Sequence, residues 1–121
     1  MNGRNEVLEL SFQFAVRIVN LCKYLKNEKK EYVLSKQLLR AGTSIGANIT
    51  EAQDAQSKKD FISKMAISLK EAKETRYWIA LLIKTEYLPE NSKKVQSLQE
   101  ELQSLINLLS SISISAKNRL T

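Results

Sequence analysis

Gln37, Arg40, Ser44, Asn48 and Glu51 recur at steps of three and four residues, the spacing of one face of a helix. A guanidinium, a hydroxyl, a carboxamide and a carboxylate in one row could in principle hold a substrate or move a proton. The chain, however, contains no histidine, which removes the commonest general base at neutral pH and the commonest metal ligand. Ser44 has no base beside it, so its hydroxyl is expected to bond a backbone carbonyl one turn back. Glu71 and Glu74 fall on a helix expected to neighbour Arg40, where an ion pair is a better use for them than acid–base work. A carboxylate-bridged metal pair in a helical bundle would use Glu-x-x-His motifs. Gly42-x-x-x-Gly46 lacks the Gly-Lys-Ser/Thr ending and the preceding strand of a phosphate-binding loop. The seven residues Gln37, Arg40, Ser44, Asn48, Glu51, Glu71 and Glu74 therefore read as a structural polar stripe. Arg40 is expected to be buried and paired with Glu71 or Glu74, and Asn48 to bond across a helix contact. No enzyme, cofactor, metal or small-molecule substrate is expected.

The same segment carries an apolar row, Leu34, Leu38, Ala41, Ile45, Ile49 and Ala52, again at helical steps. A glycine inside a helix costs about 1 kcal/mol relative to alanine, so Gly42 and Gly46 call for a reason. Four residues apart, they share one face and let another backbone come close, either inside the fold or between subunits.

Breaks in the pattern divide the 121 residues into four helices, at about 5–27, 31–55, 57–87 and 90–117. Asn27-Glu28-Lys29-Lys30 ends the first. Ser57 with Asp60 three residues on is an N-cap signature. Leu88-Pro89-Glu90 separates the third from the fourth, since proline suits a first turn and not a helix interior. The fourth has a heptad seam, Val95, Leu98, Leu102, Leu105, Leu109, Ile112 and Ala116, and a tail of serines and β-branched residues that weakens it. Four long helices with short turns fold as an all-α, antiparallel up-down-up-down bundle, a single domain over residues 1–121. Tyr77 and Trp78 are either core or an anchor between subunits. Phe12, Val16, Val19, Ile106, Leu108 and Ile114 fall off the inner stripes, and apolar surface left over in this way points to self-association.

The chain has a formal charge of +6. Residues 17–40 hold seven bases, Arg17, Lys23, Lys26, Lys29, Lys30, Lys36 and Arg40, against Glu28 and Glu31, a net +5. Charge gathered around one turn suits a phosphate backbone, and it equally suits a solvated turn. Arg17, Lys23, Lys26, Lys29, Lys30 and Lys36 are the candidate nucleic-acid contacts, with Tyr24 and Tyr32 available to stack on unpaired bases. A lone cysteine, Cys22, set among apolar residues reads as a buried thiol and suits a reducing cytoplasm. No secretory pattern and no apolar run of about 20 residues is present, so no membrane is expected.

The segment from Gln37 to Ala52, followed by Asp60-Phe61, Glu71-Ala72-Lys73-Glu74-Thr75 and Tyr77-Trp78, resembles the bacterial four-helix-bundle proteins of the 23S rRNA intervening-sequence family. The likeness spans roughly residues 10–90, with the fourth helix matching only in type. Thr50-Glu51-Ala52 departs from the Ala-Glu-Gly common there, so the end of the second helix is expected to differ. The resemblance implies a small cytoplasmic bundle assembled as a ring-like homopentamer. It also implies similarity to the accessory variability determinant of diversity-generating retroelements, a basic pentameric barrel that binds nucleic acid. Two functions follow as expectations. One is a non-enzymatic oligomer that binds nucleic acid, RNA or DNA, with structured RNA first. The other is an oligomeric protein-interaction scaffold with no nucleic-acid role.

Overall fold

A computed structural model describes residues 3–120, with side chains from 5 to 119. Four helices occupy it: α1 (Gly3–Asn27), α2 (Leu34–Ala52), α3 (Lys58–Lys84) and α4 (Lys93–Leu120). Each packs on its neighbours in chain order, and α4 closes against α1 with no diagonal contact among the described residues. Cross-links run in opposite senses along the α2–α3 and α1–α2 pairs. Arg40 meets Glu74 while Glu51 meets Lys64, and Cys22 meets Ser35 while Ser11 meets Gly46. The bundle is antiparallel throughout, up-down-up-down. The two ends of the domain span expected from sequence, residues 1–2 and 121, lie outside the described residues.

The core is the set of inner rows. Val7, Phe14, Ile18 and Leu25 of α1, Leu38, Ile45 and Ile49 of α2, Met65, Ala72 and Leu82 of α3, and Leu105 and Leu109 of α4 are all fully buried. Ile106 belongs to this core as well, at 4 % exposure, and not to the leftover surface expected of it. The serine-rich tail holds as helix to Leu120, with Ser113 turned inward.

The starts of α2, α3 and α4 are later than the pattern of apolar residues suggests, because the polar residues before them are used as caps. Glu31 was expected to open α2 and instead folds its carboxylate over that helix's first turn. It accepts the N–H groups of Val33, Leu34 and Ser35 at 3.2, 3.0 and 2.7 Å, satisfying donors a helix start leaves unpaired. Lys30, just before it, takes a left-handed conformation (φ 56°), which lets the Glu31 N–H return to the Leu25 carbonyl at 2.9 Å. Ser57 caps α3 by accepting the Asp60 N–H at 3.0 Å, and Ser92 caps α4 by accepting that of Val95 at 3.3 Å. At its other end α2 stops at Ala52, itself buried, short of the expected residue 55.

Gly42 and Gly46 serve the interior of the bundle. A Cβ on Gly42 would come within 2.8 and 2.9 Å of the Ile18 methyl and methylene carbons, and one on Gly46 within 3.2 Å of the Ser11 hydroxyl. Both glycines thus seat α2 against α1. The two sites differ in what must yield: Ile18 is β-branched and fully buried, whereas Ser11 presents a hydroxyl already bonded to the Leu8 carbonyl at 3.0 Å. Alanine gains about 1 kcal/mol of helix propensity at either site, but overpacking a tight core costs about 1–3 kcal/mol. Gly42→Ala is therefore expected to lower the urea midpoint, and Gly46→Ala to leave it level or raise it. Equal midpoint shifts for the two variants would contradict this geometry.

Candidate nucleic-acid interface

The antiparallel order brings the C-termini of α1 and α3 and the N-termini of α2 and α4 to one end of the bundle. Lys23, Lys26, Lys29, Lys30 and Lys36 are all exposed there, and none forms an ion pair among the described residues. The fold adds Lys84, Lys93 and Lys94, which sequence reasoning missed. No local signal joins them to the first group, since only the closure of α4 on α1 does so. Eight lysines share this end with Glu28, Glu31, Glu86 and Glu90, and Glu31 faces inward as a cap. At the opposite end, among the residues whose side chains are described, Lys58, Lys59, Lys64, Lys117 and Arg119 are offset by Glu6, Glu9, Glu51, Asp54 and Asp60. The positive charge is polar along the bundle axis.

Arg17 is the exception among the candidates. Its guanidinium donates to the Glu101 carboxylate at 2.8 Å, to the Ser97 hydroxyl at 3.3 Å and to the Lys94 carbonyl at 3.2 Å. It ties α1 to α4 and has little left to offer a phosphate. Tyr24 and Tyr32 are both exposed at the basic end, at 40 and 57 %.

The polar stripe lies along the outer side of the α2–α3 seam. Arg40 donates to Glu71 at 2.9 Å and to Glu74, and the Trp78 indole N–H donates to the same Glu74 oxygen at 2.9 Å. The Trp78 hydrogen bond, ahead of Arg40, holds the Glu74 carboxyl below the usual carboxylate range against an opposing push from burial. Arg40 itself is 48 % exposed, which corrects the expectation of a buried guanidinium: it reaches Glu71 and Glu74 over the outside of the α2–α3 seam. Its pairs then belong with exposed ion pairs worth about 0–1 kcal/mol. Asn48 is also corrected, for its amide donates to the Ser44 carbonyl of its own helix at 2.8 Å and not across the contact. Ser44 donates to the Arg40 carbonyl at 2.6 Å, Glu51 pairs with Lys64 at 3.3 Å, and Gln37 is exposed. The buried polar link between α2 and α3 is Ser68, whose hydroxyl donates to the Ile45 carbonyl at 2.8 Å. Trp78 packs at the edge of the core and Tyr77 is exposed. Cys22 is buried, its thiol directed at the Ser35 carbonyl at 3.3 Å, and burial pushes its pKa up to about 11. Among the described residues no cluster of three metal-ligating side chains occurs, and no helix is long and apolar enough to cross a membrane.

Fold and surface together define a class: an all-α four-helix bundle whose positive charge is gathered at one end. The chain belongs to the 23S rRNA-intervening sequence protein family, whose model matches residues 3–111. It is similar to a crystal structure of a protein with unknown function from the S23 ribosomal protein family of Bacteroides thetaiotaomicron. The two share 54 % identity and a TM-score of 0.89, over 93 % of this chain and 98 % of that one. None of the curated proteins matches.

Glu31 links this end's shape to pH. Burial acts to raise its pKa, but the backbone N–H groups of Leu34, Ser35 and Val33 outweigh that and hold it below the ordinary glutamate value. A carboxyl whose folded pKa is depressed adds stability above its unfolded pKa and loses it as pH falls through the folded value. Glu31→Gln is expected to cost about 1 kcal/mol at pH 7 and progressively less as pH falls through the folded pKa of Glu31 and its carboxyl becomes neutral. Urea midpoints down a pH series check this, and a difference that persists once the Glu31 carboxyl, followed by NMR, is protonated would count against the carboxylate's role.

Proposed function

We propose that this protein is a non-enzymatic homo-oligomer that binds nucleic acid, structured RNA first, through its basic end. The observation that carries the reading is the convergence of two lysine groups far apart in the chain, residues 23–36 and 84–94, on one end of the bundle. Flexible, unpaired ammonium groups fit phosphates as point charges, and the opposite end, where the described acids match the described bases in number, supplies the contrast. Contacts of this kind fix position on a backbone without reading its sequence.

The self-association reading rests on a second surface. Phe12, Val16 and Val19 of α1 follow by one residue the row that meets α2, and Leu39, Thr43 and Thr50 of α2 follow the row that meets α1. Antiparallel packing puts both rows on the same outer side of the α1–α2 seam. Phe12 is 71 % and Val16 47 % exposed. The Thr43 and Thr50 hydroxyls turn back to the Leu39 and Gly46 carbonyls at 2.7 Å, which leaves methyl groups outward. An uncharged face of this kind suits another copy of the chain. The family resemblance favours a pentamer, and a ring would repeat the basic end around one axis.

Two measurements test the pair of claims. Titrating a labelled structured RNA at 50 and 200 mM salt is expected to show binding about ten-fold weaker, or more, at the higher salt. No binding at low salt would remove the nucleic-acid role and leave the protein-interaction scaffold. Light scattering is expected to give a multiple of 13.8 kDa. A single-chain mass at micromolar concentration would remove the oligomer.

A further inference from the structure

A groove of about 320 Å³ opens between the last turns of α1 and the α3–α4 turn. Its lining includes Leu88, Val95 and Leu98, each at most 7 % exposed, which make an apolar floor, and the Tyr24 ring, which is 40 % exposed. Asn20 and Lys94 stand on its border, both exposed and neither hydrogen-bonded or ion-paired among the described residues through its side chain. Arg17, also on the lining, is fixed by Glu101, Ser97 and the Lys94 carbonyl, so this part of the wall is rigid before any ligand arrives. Tyr32, the other exposed tyrosine of the basic end, does not line this groove.

We propose that this groove receives a single unpaired nucleobase of the bound strand, which stacks on Tyr24 while Asn20 meets its polar edge and Lys94 its phosphate. The inference rests on the nucleic-acid reading above and narrows it to RNA with a loop, bulge or free end. The volume lies at the low end of small-ligand sites, about 300–1000 Å³, which suits one nucleotide and not a helix. An aromatic ring over an apolar floor, with a cation at the rim, is the chemistry of base stacking beside a phosphate. The groove also lies within the end where the lysines gather, so charge favours a polyanion there over a neutral apolar segment. Bases of a continuous duplex are stacked and paired and cannot enter.

The test compares a labelled RNA hairpin with an unpaired loop against a blunt duplex of equal length, at one low salt concentration, using the full chain. The hairpin is expected to bind more tightly. Tyr24→Leu, which keeps apolar bulk at a half-exposed site, is expected to weaken hairpin binding about 5- to 150-fold and leave duplex binding unchanged, while Tyr24→Phe retains the preference. A 2-aminopurine placed in the loop should lose fluorescence on binding the unmodified protein and the Tyr24→Phe variant, but not Tyr24→Leu. Equal affinity for both RNAs, indifferent to Tyr24, would overturn the groove while sparing the phosphate surface. Failure to bind either RNA would overturn both.

Discussion

The close approach of α1 and α2 is the constraint on which the rest of the molecule depends. At Gly42 the α2 backbone lies so near Ile18 that a single added carbon would sit inside van der Waals contact. Between these helices residues 28–33 turn the chain with a left-handed Lys30 and an inward Glu31. The carboxylate that caps α2 is thereby withdrawn from the surface on which Lys29 and Lys30 are displayed.

The ties around the bundle differ in kind from seam to seam. Glycines and a buried core hold α1 to α2, and Ser68 with the Arg40 pairs joins α2 to α3. Arg17 clasps α4 through a carboxylate, a hydroxyl and a backbone carbonyl at once. That last clasp ties the start of α4 to α1, where Lys94 and Tyr24 line the same groove. An arginine that looks in sequence like one more phosphate contact is thus better understood as the brace that assembles the surface.

Much of this was legible in the chain because the relevant physics is local. The helical periods, the Ser57 cap with Asp60, the break at Pro89 and the bundle itself follow from spacing and propensity within single elements. The partners of Arg40 were also readable, since helical spacing puts Glu71 and Glu74 on one face. What escaped depends on distances between elements. Burial of Arg40 could not be judged without knowing whether it lies inside the α2–α3 seam or on its outer edge, nor Ile106 placed in the core without the rotation of α4. Glu31 looked like the first residue of a helix because a cap and a first turn differ only by one rotation of the chain. Lys84, Lys93 and Lys94 carried no mark of belonging with the lysines near residue 30, because only tertiary closure makes them neighbours.

The central claim is that charge at one end of the bundle, and not charge in general, binds nucleic acid. Two charge-matched variants separate these directly: Lys29→Glu with Lys30→Glu and Lys93→Glu at the basic end, and Lys58→Glu with Lys59→Glu and Lys117→Glu at the other. All six positions are exposed, so both variants should fold, and they change net charge equally. RNA affinity measured for the two at one salt concentration is the comparison to make. The account predicts that the first variant loses binding while the second stays close to the unmodified protein. Equal losses in both would contradict it.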